Sequence, residues 1–68
     1  MPTRKATPHY VLHVYRSVSG KLSGRVFDGE VEICAVAGYA TVEEVKAAIE
    51  NAGQRVDLVV DADTGQAL

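Results

Sequence analysis

Apolar and polar residues alternate along three stretches in the first half of the chain. A period of two places every second side chain on the same side of an extended strand. We therefore predict strands at Tyr10–Arg16, Lys21–Phe27 and Glu30–Ala37. The segment Ser17–Gly20 combines small polar residues with glycine and is predicted to form a turn between the first two strands.

The second and third strands are predicted to form a hairpin. The dipeptide Asp28–Gly29 favours a two-residue type I′ turn, which would pair Val26 with Val31 and Arg25 with Glu32. The Arg25 and Glu32 side chains would then form a cross-strand ion pair. The same register collects the apolar residues on one side of the hairpin, namely Leu22, Val26, Val31, Ile33 and Ala35.

After the hairpin the apolar period changes from two to that of a helix. Thr41 is a suitable N-cap, and Glu44 lies three residues later, as a capping box requires. Gly53 tolerates the left-handed conformation that ends many helices. We predict a helix over Val42–Ala52. Its apolar stripe consists of Val45, Ala48, Ile49 and Ala52.

These elements predict a single α+β domain. A three-stranded antiparallel meander is followed by one helix packed on one face and by a fourth strand at Arg55–Asp61, in the order β-β-β-α-β. We expect the sheet to be antiparallel throughout. We assign residues 1–8 to a flexible basic N-terminal arm, residues 9–61 to the domain, and residues 62–68 to a short C-terminal tail. The length of 68 residues allows one thin core.

The hairpin, the helix start and the residues between them follow a recognisable pattern. The matching residues are Asp28, Gly29, Glu30, Tyr39, Thr41 and Ile49, with Leu12, Val14, Gly20 and Val26 upstream. In this pattern residues 10–52 resemble a single unit of the YegP-like domain family. The chain departs by one extra residue between the turn and Tyr39, and by Gly24 where the family has a bulky inward residue. The resemblance implies the fold and no catalytic activity.

No arrangement of residues in the sequence predicts a catalytic or metal site. On a strand, His9 and His13 would lie roughly 13 Å apart, too far for one ion. The segment around Asp61 and Asp63 resembles the start of a haloacid-dehalogenase site and part of a calcium loop, but it lacks the further acids that either needs. Cys34 has no second cysteine to pair with, which favours a cytoplasmic location. We expect a non-enzymatic protein with no cofactor, no metal and no catalytic residue.

The charges are divided unevenly along the chain. Residues 1–25 contain five basic residues and no acid, whereas residues 26–68 contain nine acids against two basic residues. Such asymmetry suggests a charged partner. A small acidic domain without catalytic motifs resembles the anti-CRISPR proteins encoded by phages, and its carboxylates could occupy a groove built for phosphates. The candidate partner-binding residues are Asp28, Glu30, Glu32, Glu43, Glu44 and Asp57.

The resemblance implies an inhibitor that blocks the nucleic-acid-binding surface of a larger effector complex. The expected partner is a protein, with a CRISPR effector subunit as the candidate, and the chain is expected to be a monomer or homodimer. We expect no direct nucleic-acid binding and no membrane contact. Two alternatives stay open. One is a nucleic-acid-binding module that uses the basic N-terminal half, with Tyr15 and Phe27 as stacking rings. The other is a cellular YegP-like domain of structural role.

Overall fold

The computed structural model describes residues 9–68, so the predicted N-terminal arm lies outside the described part of the chain. The elements are β1 (Tyr10–Arg16), β2 (Leu22–Asp28), β3 (Val31–Tyr39), α1 (Val42–Asn51) and β4 (Leu58–Asp61). The four strands form one sheet in the order β3-β2-β1-β4, and α1 packs on one face. The predicted order of elements and the predicted fold class are confirmed.

The fourth strand corrects the expectation of a fully antiparallel sheet. Strand β4 pairs parallel with β1, with Leu12 opposite Val59. It also begins later than predicted, at Leu58, and the Asp57 N–H just before it donates to the Tyr10 carbonyl at 2.9 Å. Because β1 and β3 both run antiparallel to β2, β4 also runs in the same direction as β3.

The turn between β2 and β3 lies one residue later than the sequence predicted. Asp28 is the last residue of β2 and pairs with Val31, which leaves Gly29 and Glu30 in the turn. Only Gly29 has a positive φ, of 65°. A type I′ turn needs positive φ at both central residues, whereas glycine at the first central position alone is the pattern of a type II′ turn. The predicted type I′ register is therefore wrong.

A β-bulge shifts the hairpin register again. Glu32 pairs with Phe27, but Val26 pairs with Cys34, so Ile33 is an extra residue in β3. Such an insertion moves every later side chain by one position relative to the partner strand. Cys34 and Val36, rather than Val31, pack toward the core. The predicted pairing of Val26 with Val31 and the predicted inward set at Val31, Ile33 and Ala35 are wrong.

The core lies between α1 and one face of the sheet. Its buried residues are Leu12, Val14, Leu22, Val26, Val45 and Ile49. The helix begins at the predicted capping box: the Glu44 N–H donates to Thr41 Oγ1 at 3.2 Å, and the Thr41 N–H donates to Glu44 Oε1 at 3.1 Å. The helix is followed by Gly53 with a φ of 91°. Of the predicted stripe, Ala48 is half-buried and Ala52 is exposed.

Gly24 lets the helix approach the sheet closely. A Cβ atom built on Gly24 would overlap the Cγ1 methyl of Val45 and would lie 2.8 Å from Leu12 Cδ1. Both of these side chains are fully buried. The space that a bulky inward residue would fill on β2 is therefore occupied by Val45 from α1.

The predicted C-terminal tail makes backbone contacts with β4. Ala67 forms an antiparallel bridge with Val60, and the Leu68 N–H donates to the Val59 carbonyl at 2.8 Å. The Asp61 N–H donates to the Gln66 carbonyl, also at 2.8 Å. These bonds satisfy backbone groups along the outer edge of β4.

Candidate partner-binding surface

The structure divides the six candidate carboxylates between two ends of the domain. Asp28, Glu30 and Glu32 lie on the β2–β3 hairpin, whereas Glu43 and Glu44 lie in the first turn of α1. The nine residues of β3 separate the two groups by roughly 30 Å. The sixth candidate, Asp57, lies just before β4 and near the hairpin end, where it accepts from the N–H of Tyr10, which pairs with Asp28. The six residues therefore do not form one continuous patch.

Two of the hairpin acids contact basic side chains. Asp28 Oδ1 lies 3.2 Å from His9 Nε2, and Glu32 Oε1 accepts a hydrogen bond from Arg25 Nη1 at 3.3 Å. The predicted ion pair between Arg25 and Glu32 is thus confirmed, although the two residues are diagonal neighbours in the observed register, since Arg25 pairs with Ala35. Both pairs are half-exposed, so their contribution to stability is about 0–1 kcal/mol.

Two other candidate carboxylates accept hydrogen bonds from backbone N–H groups of the domain. Glu44 Oε1 accepts from the N–H groups of Ala40 and Thr41, each at 3.1 Å. Asp57 accepts from the Tyr10 N–H at 3.0 Å and from Arg55 Nε at 2.7 Å. The Tyr10 N–H, followed by Arg55, lowers the pKa of Asp57 below its ordinary value. These two carboxylates stabilise the start of α1 and the junction of β1 with β4.

Glu30 and Glu43 are exposed, and neither forms a hydrogen bond or ion pair with any residue from 9 to 68. Glu30 occupies the hairpin turn, and Glu43 occupies the second position of α1. Of the six candidates these two have carboxylates that are not engaged within the described domain. A partner could reach one at each end.

Apolar side chains accompany the acids of the hairpin. Val31 is 62% exposed and Ile33 is 41% exposed, and they alternate with Glu30 and Glu32 along the chain. Sequence reasoning placed both apolar residues in the core and so missed them as surface residues. The turn at Gly29 and Glu30 and the bulge at Ile33 set the pairing in which both side chains are exposed.

Within residues 9–68 no group of three or more His, Cys, Asp or Glu residues could hold a metal ion. His9 contacts Asp28, whereas the His13 ring contacts the ring of Phe27 at a centroid distance of 4.9 Å. A cavity of about 60 Å³ lies between the ends of β1 and β4, and an open groove of about 360 Å³ runs beside α1 at Tyr39. The one helix described is too short to cross a membrane.

The rings of the nucleic-acid alternative lie on the side of the sheet opposite α1. Tyr15 and Phe27 are half-buried there. The guanidinium carbon of Arg25 lies 5.4 Å from the centroid of the Tyr15 ring. Because Arg25 also binds Glu32, the charge nearest to these rings is already paired. Arg4 and Lys5 lie outside the described residues.

Comparison with known proteins assigns the chain to no family. No protein-family model matches it, and neither the curated proteins nor the solved structures give a significant match. The similarity to YegP-like domains stays an expectation based on the motif residues themselves.

Proposed function

We propose that this chain is a small non-enzymatic inhibitor of anti-CRISPR type, which binds a protein partner and blocks its nucleic-acid-binding surface. The hairpin residues Asp28–Ile33 make the principal contact. Glu43, at the opposite end of the domain, makes a second contact if the partner is large enough to span both ends. The target is a basic groove on an effector subunit, where carboxylates replace phosphates.

The observation that supports the proposal most directly is the composition of the exposed hairpin. Carboxylates at positions 28, 30 and 32 lie in the same short segment as the exposed side chains of Val31 and Ile33. Charges at the rim of an interface steer association, whereas apolar side chains that become buried supply most of the affinity. A short hairpin that offers both, on a rigid sheet, matches the requirements of a protein-binding surface.

The partner is tested by affinity capture and by function. The tagged protein is incubated with purified CRISPR effector complexes and with bacterial lysate, and bound proteins are identified by mass spectrometry. In parallel, the gene is expressed in a bacterium whose CRISPR system restricts a phage, and plaques are counted. We expect capture of an effector subunit, loss of its nucleic-acid binding, and recovery of plaques. Absence of both capture and plaque recovery across the tested effector types would contradict the proposal.

The surface is tested with matched charge variants. The double change Glu30→Gln with Glu32→Gln removes two hairpin charges and keeps their shape, and Glu50→Gln removes one exposed charge elsewhere on α1 as a control. We expect the hairpin variant to weaken binding about tenfold at low salt, through slower association, and the control to bind as the parent does. If Glu43→Gln and the hairpin variant both bind normally and salt has no effect, the carboxylates do not carry recognition.

The second candidate function is nucleic-acid binding, which the position of Tyr15, Arg25 and Phe27 on one uncovered sheet face favours. At about 0.15 M salt we expect no complex with single- or double-stranded oligonucleotides, because binding there requires several unpaired cations. A micromolar complex in a gel shift, weakened by Phe27→Ala or by Arg4→Ala with Lys5→Ala, would rank this function first.

A further inference from the structure

The outer edge of β4 is covered by residues of the chain itself. In the order β3-β2-β1-β4, strand β4 lies at one border of the sheet, with β1 on its inner side. Residues 66–68 fold back along the outer side, and we call them the strap. Ala67 forms an antiparallel bridge with Val60, and the Leu68 N–H donates to the Val59 carbonyl at 2.8 Å. The edge of β4 therefore accepts an antiparallel strand.

Backbone hydrogen bonds, rather than buried side chains, hold the strap in place. All side chains from 63 to 68 are exposed, and Leu68 retains 62% of its accessible surface. The pairing is also incomplete, since the Gln66 carbonyl accepts from the Asp61 N–H while the Gln66 N–H donates to Thr64 Oγ1. Segments with few buried apolar contacts and exposed hydrogen bonds open at low free energy. We expect the strap to detach while β4 stays paired with β1.

The strap leaves a space beside it unfilled. A cavity of about 60 Å³ is lined by the apolar residues Val14, Val42 and Leu68 and by the charged residues Arg16, Asp61 and Asp63. This volume has room for about two groups of the size of a water molecule. Leu68 borders the cavity and is still mostly exposed. A larger apolar side chain at the same position of a strand would bury more surface against β1 and α1.

We propose that the outer edge of β4 is a docking site for an extended strand of a partner protein, and that the strap occupies this site in the free molecule. The partner strand runs antiparallel to β4 and replaces the strap in the bonds to Val59 and Asp61. It places an aromatic or long aliphatic side chain over the cavity beside Val14. Strand addition of this kind draws affinity from main-chain hydrogen bonds and specificity from pockets for alternate side chains.

A partner strand makes more contacts than the strap does. Strand β4 has four residues, whereas the strap forms a single bridge with it, between Ala67 and Val60. A strand that continues past the position of Leu68 also reaches Leu58, at the start of β4. The site lies on the border of the sheet opposite β3 and its hairpin, so it neither requires nor excludes the proposed function.

The site is tested on the full chain with a synthetic peptide. The probe is the acetylated and amidated hexapeptide Thr-Gln-Ala-Phe-Thr-Val, which has phenylalanine at the position of Leu68 and two β-branched residues after it. The control peptide has proline in place of phenylalanine and therefore lacks the N–H that donates to the Val59 carbonyl. At about 1 mM, the range of a weak complex, we expect the probe to shift the ¹⁵N–¹H signals of β4, and the control to leave them unchanged.

Competition between the strap and the probe gives a second readout. Leu68→Pro removes the bond to Val59 and releases the strap, whereas Leu68→Ala keeps this bond and serves as the matched control. A site that is occupied by its own strap has a reduced apparent affinity for any other strand. We expect Leu68→Pro to bind the probe about fivefold more tightly than the parent, and Leu68→Ala to bind it nearly as the parent does. Circular dichroism confirms that both variants are folded.

Hydrogen exchange shows whether the strap opens by itself. The Asp61 N–H donates to the strap, whereas the Ala62 N–H donates to the Val14 carbonyl of β1 at 2.9 Å. In the free protein we expect the Asp61 amide to exchange about tenfold faster than the Ala62 amide, and the probe to slow the exchange of Asp61.

Four results would overturn the proposal. The first is that neither the parent nor Leu68→Pro binds the probe, and the second is that both bind it equally well. The third is a set of shifts that lies along β3 instead of β4. The fourth is a Leu68→Pro variant that sediments as a dimer without peptide, because the edge would then serve a second copy of the chain.

Discussion

Gly24 provides the sharpest test of how the helix packs on the sheet. The residue is buried in β2 and does not have a positive φ, so its backbone would accept alanine. The obstacle is space. The added methyl group would overlap Val45 Cγ1 and approach Leu12 Cδ1 to 2.8 Å, closer than carbon atoms pack. Because both neighbours are fully buried, relief requires α1 to move or a core side chain to leave its rotamer.

The magnitude follows from two opposing terms. Overpacking a core by one methyl group costs about 1–3 kcal/mol. Replacing glycine by alanine at a compatible backbone position stabilises the fold by about 0.4–1 kcal/mol, because it reduces the conformational entropy of the unfolded chain. We therefore expect Gly24→Ala to lower the free energy of unfolding by about 1–2 kcal/mol, a considerable share for so small a domain.

A double-mutant cycle shows whether Val45 is the cause. Val45→Ala alone removes two buried methyl groups and should cost about 2–3 kcal/mol. In that background the Gly24→Ala methyl group fills part of the cavity, so the second change should be neutral or stabilising. The expected coupling is about 1–3 kcal/mol in favour of the double variant. The assay is urea unfolding followed by circular dichroism. If the two single effects simply add, the close contact between α1 and β2 does not exist in solution.

Three further predictions concern the helix and the β1–β4 junction. Ile49→Ala should lower the free energy of unfolding by about 2–4 kcal/mol, and an unchanged urea midpoint would exclude Ile49 from the core. Thr41→Ala should cost about 1 kcal/mol and Glu44→Gln much less, because glutamine can still accept in the capping box; equal losses would contradict that geometry. Folding lowers the pKa of Asp57 below its ordinary value of 3.8. At a pH above 3.8 the ionised carboxylate therefore stabilises the fold, and this stabilisation is lost as the pH falls through the lowered pKa. Asp57→Asn should therefore reduce the urea midpoint at pH 7 and not at about pH 2, and a deficit that persists in acid would contradict the role of the charge.

Part of the candidate surface could be predicted from the sequence. The role of Glu44 was predictable because its partner Thr41 lies three residues away and both belong to one helical turn. The role of Asp57 was not, since it holds the N–H of Tyr10, which lies 47 residues earlier in the chain. The exposure of Val31 also depends on a pairing between strands that no residue near it specifies. Short-range contacts follow local sequence rules, whereas these others depend on the assembled sheet.

The sequence by itself determined the elements whose signals are local. The capping box of α1, the alternation in β1 and the glycine after the helix each involve residues within one turn or one strand, so their signals can be read without the rest of the fold. The tertiary structure decided which strand β4 joins, and in which direction, because the return path of α1 over the sheet sets both. It also decided the hairpin register. Of the two turn residues only Gly29 has a positive φ, and the bulge at Ile33 shifts β3 so that Cys34 and Val36 pack against the core. A shift of one residue exchanges the two sides of a strand, and packing against α1 selects between them.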